Sequence, residues 1–199
     1  MGRRSAHTSD ELRGLILSAA RDIIETEGLT ALSAREIARR IGYSAGTLYN
    51  IFDNLDDIRL TLQIDMLEDL SVKLSALKSN GDTKRLVSQT LKTYVEFTFA
   101  NRQLWNLLFE RREETAAIRP QASQASLERI ATIVADALGA ALPDVPHEQI
   151  SHHARILCAG VHGITAVATT NRIPGINRET AILYVEKLGK TYLKGLVVD

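Results

Sequence analysis

An all-α fold, with a small three-helix unit ahead of a larger helical body, is what this sequence predicts, and three observations carry that reading. Apolar residues recur at helical spacing along nearly the whole chain, and no stretch alternates with the period of two that a half-buried strand needs. Ser, Thr, Asp and Asn stand just ahead of several apolar stretches, where their oxygens can satisfy the free N–H groups of a helix start. Gly28, Gly42, Ser79-Asn80-Gly81-Asp82, Asn101, Pro120, Pro143 to Pro146 and Pro174-Gly175 punctuate the pattern.

The 199 residues suffice for a real core. With 24 basic and 24 acidic side chains the net charge is zero, so affinity for a nucleic acid must come from local charge rather than a global field. Every basic residue before Lys73 is an arginine, a side chain suited to bidentate phosphate contacts. The single Cys158 excludes an internal disulfide and suits a reducing compartment. No apolar run nears the length that crosses a bilayer, and the N-terminal residues lack a signal-peptide core. A soluble cytoplasmic protein with no membrane partner is expected.

In chain order, Met1 to His7 is a polar arm carrying Arg3 and Arg4, either laid along DNA phosphates or the minor groove, or a frayed end. Thr8 and Glu11 form a capping box for a first helix whose stripe of Leu12, Ile16, Ala19, Ala20, Ile23 and Ile24 ends at Gly28. Ser33 and Glu36 repeat the box for a second helix. There Ile37, Ala38 and Ile41 face inward, while Arg35, Arg39 and Arg40 face out. Gly42 supplies the left-handed residue that ends it, and Ser44 caps a third helix with Leu48, Ile51 and Phe52 on its buried side. Two short helices joined by a tight turn make a helix-turn-helix, whose second helix can enter a DNA major groove.

The run Gly42-Tyr43-Ser44-Ala45-Gly46-Thr47-Leu48-Tyr49-Asn50-Ile51-Phe52 resembles the third-helix signature of the tetracycline-repressor (TetR) family of bacterial transcriptional regulators. The resemblance reaches back through Ser33–Ile41 and Leu12–Thr30 and forward to Leu62. Ile51 stands where the family commonly has His, and Leu55 where it commonly has a phosphate-contacting Lys. The free amides near Ala45 and Gly46, with Ser44, suit a phosphate, and Thr47 a phosphate or a thymine methyl. Asn50 suits a bidentate pair with adenine, and Tyr43 and Tyr49 suit phosphates. Tyr43 serves equally to close the turn by packing. Arg35 joins these as a candidate DNA contact.

Asp53 or Asn54 is expected to cap a fourth helix running to about Lys78, with Leu60, Ile64, Leu67, Leu70 and Leu74 as its apolar positions. Further helices are expected at about 83–100, 102–113, 120–141, 147–171 and 178–197, giving a DNA-binding domain over 1–54 and a helical body over 55–199. The last two helices are apolar on more than one side. A homodimeric four-helix bundle through Leu157, Val161 and Ile164 with Val185, Leu188 and Tyr192 would bury the excess. Val161-His162-Gly163 and the segment Gln103–Phe109 resemble a regulator subfamily named for a W-H-G motif, with Val161 in place of Trp.

The resemblance implies a small-molecule effector in an apolar pocket. The aromatic-rich set Tyr94, Phe97, Phe99, Trp105 and Phe109 with Leu108, together with Cys158 and His162, supplies its candidate lining. Ordinary core packing is the competing reading for each aromatic. Cys158 and His162, four apart on one helical face, also suit a metal, but no carboxylate stands beside them at matching spacing. No metal, no cofactor and no catalytic constellation is expected. The functional expectation is a homodimeric, ligand-responsive repressor binding a palindromic double-stranded DNA operator. The alternatives are control by a protein partner, or a helical carrier or enzyme with a vestigial helix-turn-helix.

Overall fold

The structure is a computed structural model that describes residues 7–108, 121–170 and 173–196. Arg3, Arg4, Pro120 and Phe109 lie outside the described residues, as does the expected helix beyond Leu108. Among the described residues the fold is α-helical throughout, with one 3₁₀ turn at Leu29–Ala31.

The head begins with α1 (Ser9–Glu27), closed at its start by the expected Thr8–Glu11 capping box. Its Leu12, Ile16, Ala20, Ile23 and Ile24 are buried. Next come α2 (Ala34–Ile41) and α3 (Ala45–Leu48), packed against each other with α2 also resting on α1. Ile37, Ala38, Leu48 and Phe52 complete this part of the core.

α4 (Leu55–Ser75) starts at Asn54, whose side chain accepts from the Asp57 N–H at 2.9 Å, and it belongs to both halves of the molecule. Near its start Arg13 of α1 donates to the Thr61 hydroxyl at 3.4 Å; its later turns pack on α7. It ends at Ser75, short of Lys78. Its buried face also differs from the expected one. Leu60 and Ile64 are only half-buried, whereas Ile58, Leu62 and Met66 are fully covered. A helix apolar on two sides and clasped by neighbours from both the head and the body does not follow a single stripe.

The body comprises α5 (Thr83–Ala100), α6 (Arg102–Asn106), α7 (Gln121–Ala141), α8 (His147–Thr170) and α9 (Arg178–Gly195). Asn80 and Gly81 take positive φ in the turn before α5, which Asp82 caps through the Arg85 N–H. Asn177 and Thr180 form a reciprocal cap at the start of α9. α9 lies close on α5 because Gly189 has no side chain: a Cβ there would meet Leu91 Cδ1 at 2.6 Å. No described helix is long and apolar enough to cross a membrane.

Candidate nucleic-acid interface and body cavity

Local electrostatics set the scaffold of the head. Ser33 caps α2 as expected, accepting from the Glu36 N–H at 3.2 Å. Glu36 does not return the bond. Its carboxylate instead takes Arg39 (2.6 and 2.8 Å) and Arg40 (3.0 Å), because two guanidinium groups outcompete a neutral amide. The Arg39 bond, then the Arg40 bond, holds the Glu36 carboxyl down at about 2. Arg40 also reaches Asp22 and Glu27 on α1, so its charge pins α2 to α1. Arg35 is exposed and has no partner among the described residues.

Gly42 takes the left-handed conformation (φ 73°, ψ 30°) and its N–H closes on the Ala38 carbonyl. Tyr43 then packs half-buried against the core, its hydroxyl 2.7 Å from His7 Nδ1. Ser44 accepts from the Thr47 N–H at 3.2 Å, and the two hydroxyls lie 2.9 Å apart. α3 is a single turn. Beyond it the Asn50 and Ile51 N–H groups bond three residues back, to Thr47 and Leu48. Leu48 and Phe52 anchor this segment inside, with the Arg13 guanidinium 4.4 Å from the Phe52 ring centroid. Ser44, Gly46, Tyr49 and Asn50 are exposed, and Ala45 and Thr47 half-exposed. Tyr49 leaves half its surface in solvent, which a tyrosine used for packing would not do.

In the body, helices α4 to α8 line a cavity of about 330 Å³ that opens to solvent. Leu67 enters from α4, Tyr94 from α5, and Trp105 and Leu108 from α6 and the turn after it. α7 supplies Leu127, Ile130 and Ala131, and α8 supplies Arg155, Cys158, Ala159 and His162. The Tyr94 hydroxyl lies 2.8 Å from His162 Nδ1. The Trp105 ring meets Tyr94 edge-on at 5.3 Å and His162 at 5.9 Å. Burial pushes the Tyr94 phenol up, the Cys158 thiol up to about 11 and the His162 imidazole down, so all three are neutral at pH 7. Arg155 sits at the mouth, its side chain largely in solvent and bonded to Glu128 of α7 at 3.1 Å.

Residues 16–61 match the family profile of bacterial regulatory proteins of the tetR family, and residues 87–185 match that of the tetracyclin repressor-like C-terminal domain. The chain belongs to the TetR family. The second match spans Val161-His162-Gly163 and all of Gln103–Phe109. Solved structures share the fold along nearly the whole chain. A Rhodococcus sp. RHA1 protein of unknown function superposes with a TM-score of 0.71 at 23% identity, covering 98% of each chain. A TetR transcriptional regulator from the same organism gives 0.68 at 18%, covering 94% of this chain and 98% of the other. FadR of Thermus thermophilus, a TetR-family transcriptional repressor in complex with lauroyl-CoA, gives 0.67 at 19%, covering 94% and 96%.

In this TetR-family regulator the structure gathers Tyr94, Trp105, Leu108, Cys158 and His162 around one cavity, although they span more than sixty residues of sequence. Phe97 is not in that lining: it is buried, with the Lys73 ammonium 5.5 Å from its ring. The lining from α7 and Arg155 escaped the sequence reading. An apolar stripe on α7 carries no local mark of what it faces. Among the described residues no three His, Cys, Asp or Glu side chains come together as a metal site.

The expected interface between copies needs correcting. Leu157, Val161 and Val185 are at most 1% exposed within the protomer, so they have no surface to offer another chain. α8 and α9 use those residues against their own bundle. Ile164, Leu188 and Tyr192 are half-buried, and Tyr192 bonds His153 at 2.9 Å. On α8 and α9 the large apolar side chains left exposed, among the described residues, are Ile156, Leu183 and Tyr184.

Proposed function

We propose that the chain is a ligand-responsive, homodimeric repressor that binds a palindromic DNA operator and releases it when a small, mainly apolar effector fills the body cavity. One observation carries the proposal: α4 leaves the head at Asn54, bonds α1 through Thr61, and two turns later places Leu67 in the cavity wall. Any change in the cavity that shifts Leu67 acts on the same rigid element that positions the head. A volume of 330 Å³ lies within the range of small-molecule sites. Gln63, one turn before Leu67, donates to the Leu107 carbonyl at 2.7 Å and so ties α4 to the end of the cavity-lining α6 segment.

In this reading Arg35, Ser44 and Tyr49 position the DNA backbone, with Tyr43 braced by His7, while Asn50 reads a base. The amides near Ala45 and Gly46 approach phosphate; a Cβ on Gly46 would meet nothing nearer than Ser44 Oγ at 3.7 Å, so its bareness faces outward. The second copy covers Ile156, Gly160, Gly163 and Val167 of α8, a stripe at helical spacing, together with Tyr184 and Leu188 of α9. The two stripes adjoin, since Leu188 Cδ2 would lie 3.0 Å from a Cβ on Gly160. A dimer is required because one recognition segment reads only one half-site.

Selection of bound sequences from random DNA tests the reading. A two-fold symmetric sequence with half-sites about one helical turn apart is expected. A non-symmetric site, or binding without sequence preference, would sink it. The effector, once found, must release DNA and change Trp105 emission over one concentration range. Operator DNA must weaken effector binding by the same factor.

A further inference from the structure

The cavity and its mouth differ in chemistry. Inside, burial favours the neutral forms of tyrosine, cysteine and histidine, and among the described residues none of the lining side chains is a carboxylate. A charged group of either sign brought there would lose its water without gaining a counter-ion from these residues. At the mouth stands Arg155, the one formally charged side chain among the described lining residues. It bridges to Glu128 across the α7–α8 gap, beside exposed Leu127. The same Arg155 also borders a polar depression on the outer surface, whose described lining is His147, Gln149, Ser151, His152 and His153 with one carboxylate, Glu148. An occupant therefore passes from a neutral apolar interior, across a guanidinium, onto a surface rich in hydrogen-bonding groups.

We propose that the effector is an anionic amphiphile, whose apolar part fills the cavity and whose oxyanion replaces Glu128 on Arg155 at the mouth. This rests on the cavity being the effector site and adds the chemical class of the occupant. An apolar cavity of about 150 Å³ takes benzene, so 330 Å³ accommodates roughly a dozen carbon atoms, a medium-length chain or two fused rings. The guanidinium fork suits carboxylate and phosphate alike, and its exposure limits the gain from the charge to several-fold. The Glu128–Arg155 pair acts as a competitor. It makes the empty mouth favourable without an occupant, and only an anion recovers the interaction that opening it loses.

The test is calorimetric titration of the full chain and of the Arg155→Gln and Glu128→Gln variants. The four probes are decanoate, decyl phosphate, decanol and decyltrimethylammonium, all below their micelle concentrations. Both substitutions are at exposed side chains, so the fold is retained. One or both anions should bind about fivefold tighter than decanol to the parent chain. The Arg155→Gln variant should lose that preference while keeping its decanol affinity within about twofold, and Glu128→Gln should strengthen the anions alone. The better anion identifies the head group as carboxylate or phosphate. If decanol matches the anions in all three proteins, or the ammonium probe binds best, the oxyanion assignment is overturned while the cavity stands. If none of the four binds, the cavity is not an effector site, and the reading beneath this one falls as well.

Discussion

The head and the body of this molecule use the same kind of element for opposite ends. In the head, short helices are tied at every junction. Arg40 joins α2 to α1 through Asp22 and Glu27, Gly42 closes on Ala38, and Ser44 caps the one-turn α3 while Leu48 and Phe52 fill the space behind it. In the body, helices of 18 to 24 residues such as α5, α7 and α8 leave a 330 Å³ open cavity between them and an apolar strip uncovered outside. Protein interiors are otherwise close-packed, so a pocket of this size between helices is a departure from the rule. The body thus retains space that a ligand can fill, whereas the head keeps its exposed side chains on a fixed frame. A reader of DNA needs geometry that does not drift; a sensor needs space with two possible occupancies.

The largest effect expected from testing this contrast lies in adjacent residues of α8. Leu157→Arg buries an unpaired charge in the body core and should cost about 3–5 kcal/mol, giving little folded protein by circular dichroism. Ile156→Arg, one residue away and 47% exposed, should fold normally and run as a monomer in light scattering, with palindrome affinity falling sharply. A folded Leu157→Arg dimer would reverse the assignment of the two sides.

Next in size is the reading edge. Asn50→Ala should remove about 1–3 kcal/mol of discrimination at one base pair per half-site, while Tyr49→Phe weakens all sites alike. An unchanged sequence logo for the Asn50 variant would show that this side chain does not read a base.

A smaller effect is expected in the frame of the head. A Cβ at Gly42 would have nothing within 4 Å, so Gly42→Ala brings no clash, only the left-handed backbone that an L residue resists. The expected loss is about 1–2 kcal/mol in denaturant unfolding, with m unchanged.

The smallest effect concerns pH. Glu36 is held near 2, below its ordinary 4.5, by Arg39 first and Arg40 second. A depressed folded-state value means that the contribution is whole above about 4.5 and disappears as pH falls toward 2. Glu36→Gln should flatten that part of the stability–pH curve and leave its neutral limb parallel. An acid limb unchanged by the substitution would show that the arginine fork does not stabilise the head.

Most of the head was legible in the sequence because its instructions act over three to five residues. Thr8 and Glu11, Ser33, Gly42 and Ser44 mark helix ends through bonds to their own neighbours, and the structure shows those ends where the residues stand. One such reading failed in part: Glu36 abandoned the reciprocal cap for two arginines, a competition that spacing alone does not rank. In the body the number and order of the described helices were also legible, since proline, glycine and polar clusters separate them.

What the sequence alone determined is therefore an all-α chain, the helix-turn-helix with its exposed Tyr49 and Asn50, and the family to which it belongs. Tertiary structure decided which side of each two-sided helix turns inward. It placed Leu157, Val161 and Val185 in the protomer core and left Ile156, Leu183 and Tyr184 outside. It sent Phe97 away from the cavity and brought Ile130, Ala131 and Arg155 to it. The reason is one of range. A cap or a turn lowers its free energy through groups a few residues away, so its signal is written beside it. A helix apolar on two faces satisfies its hydrogen bonds whichever face is buried, and only neighbours distant in the chain make one orientation lower in energy than the other.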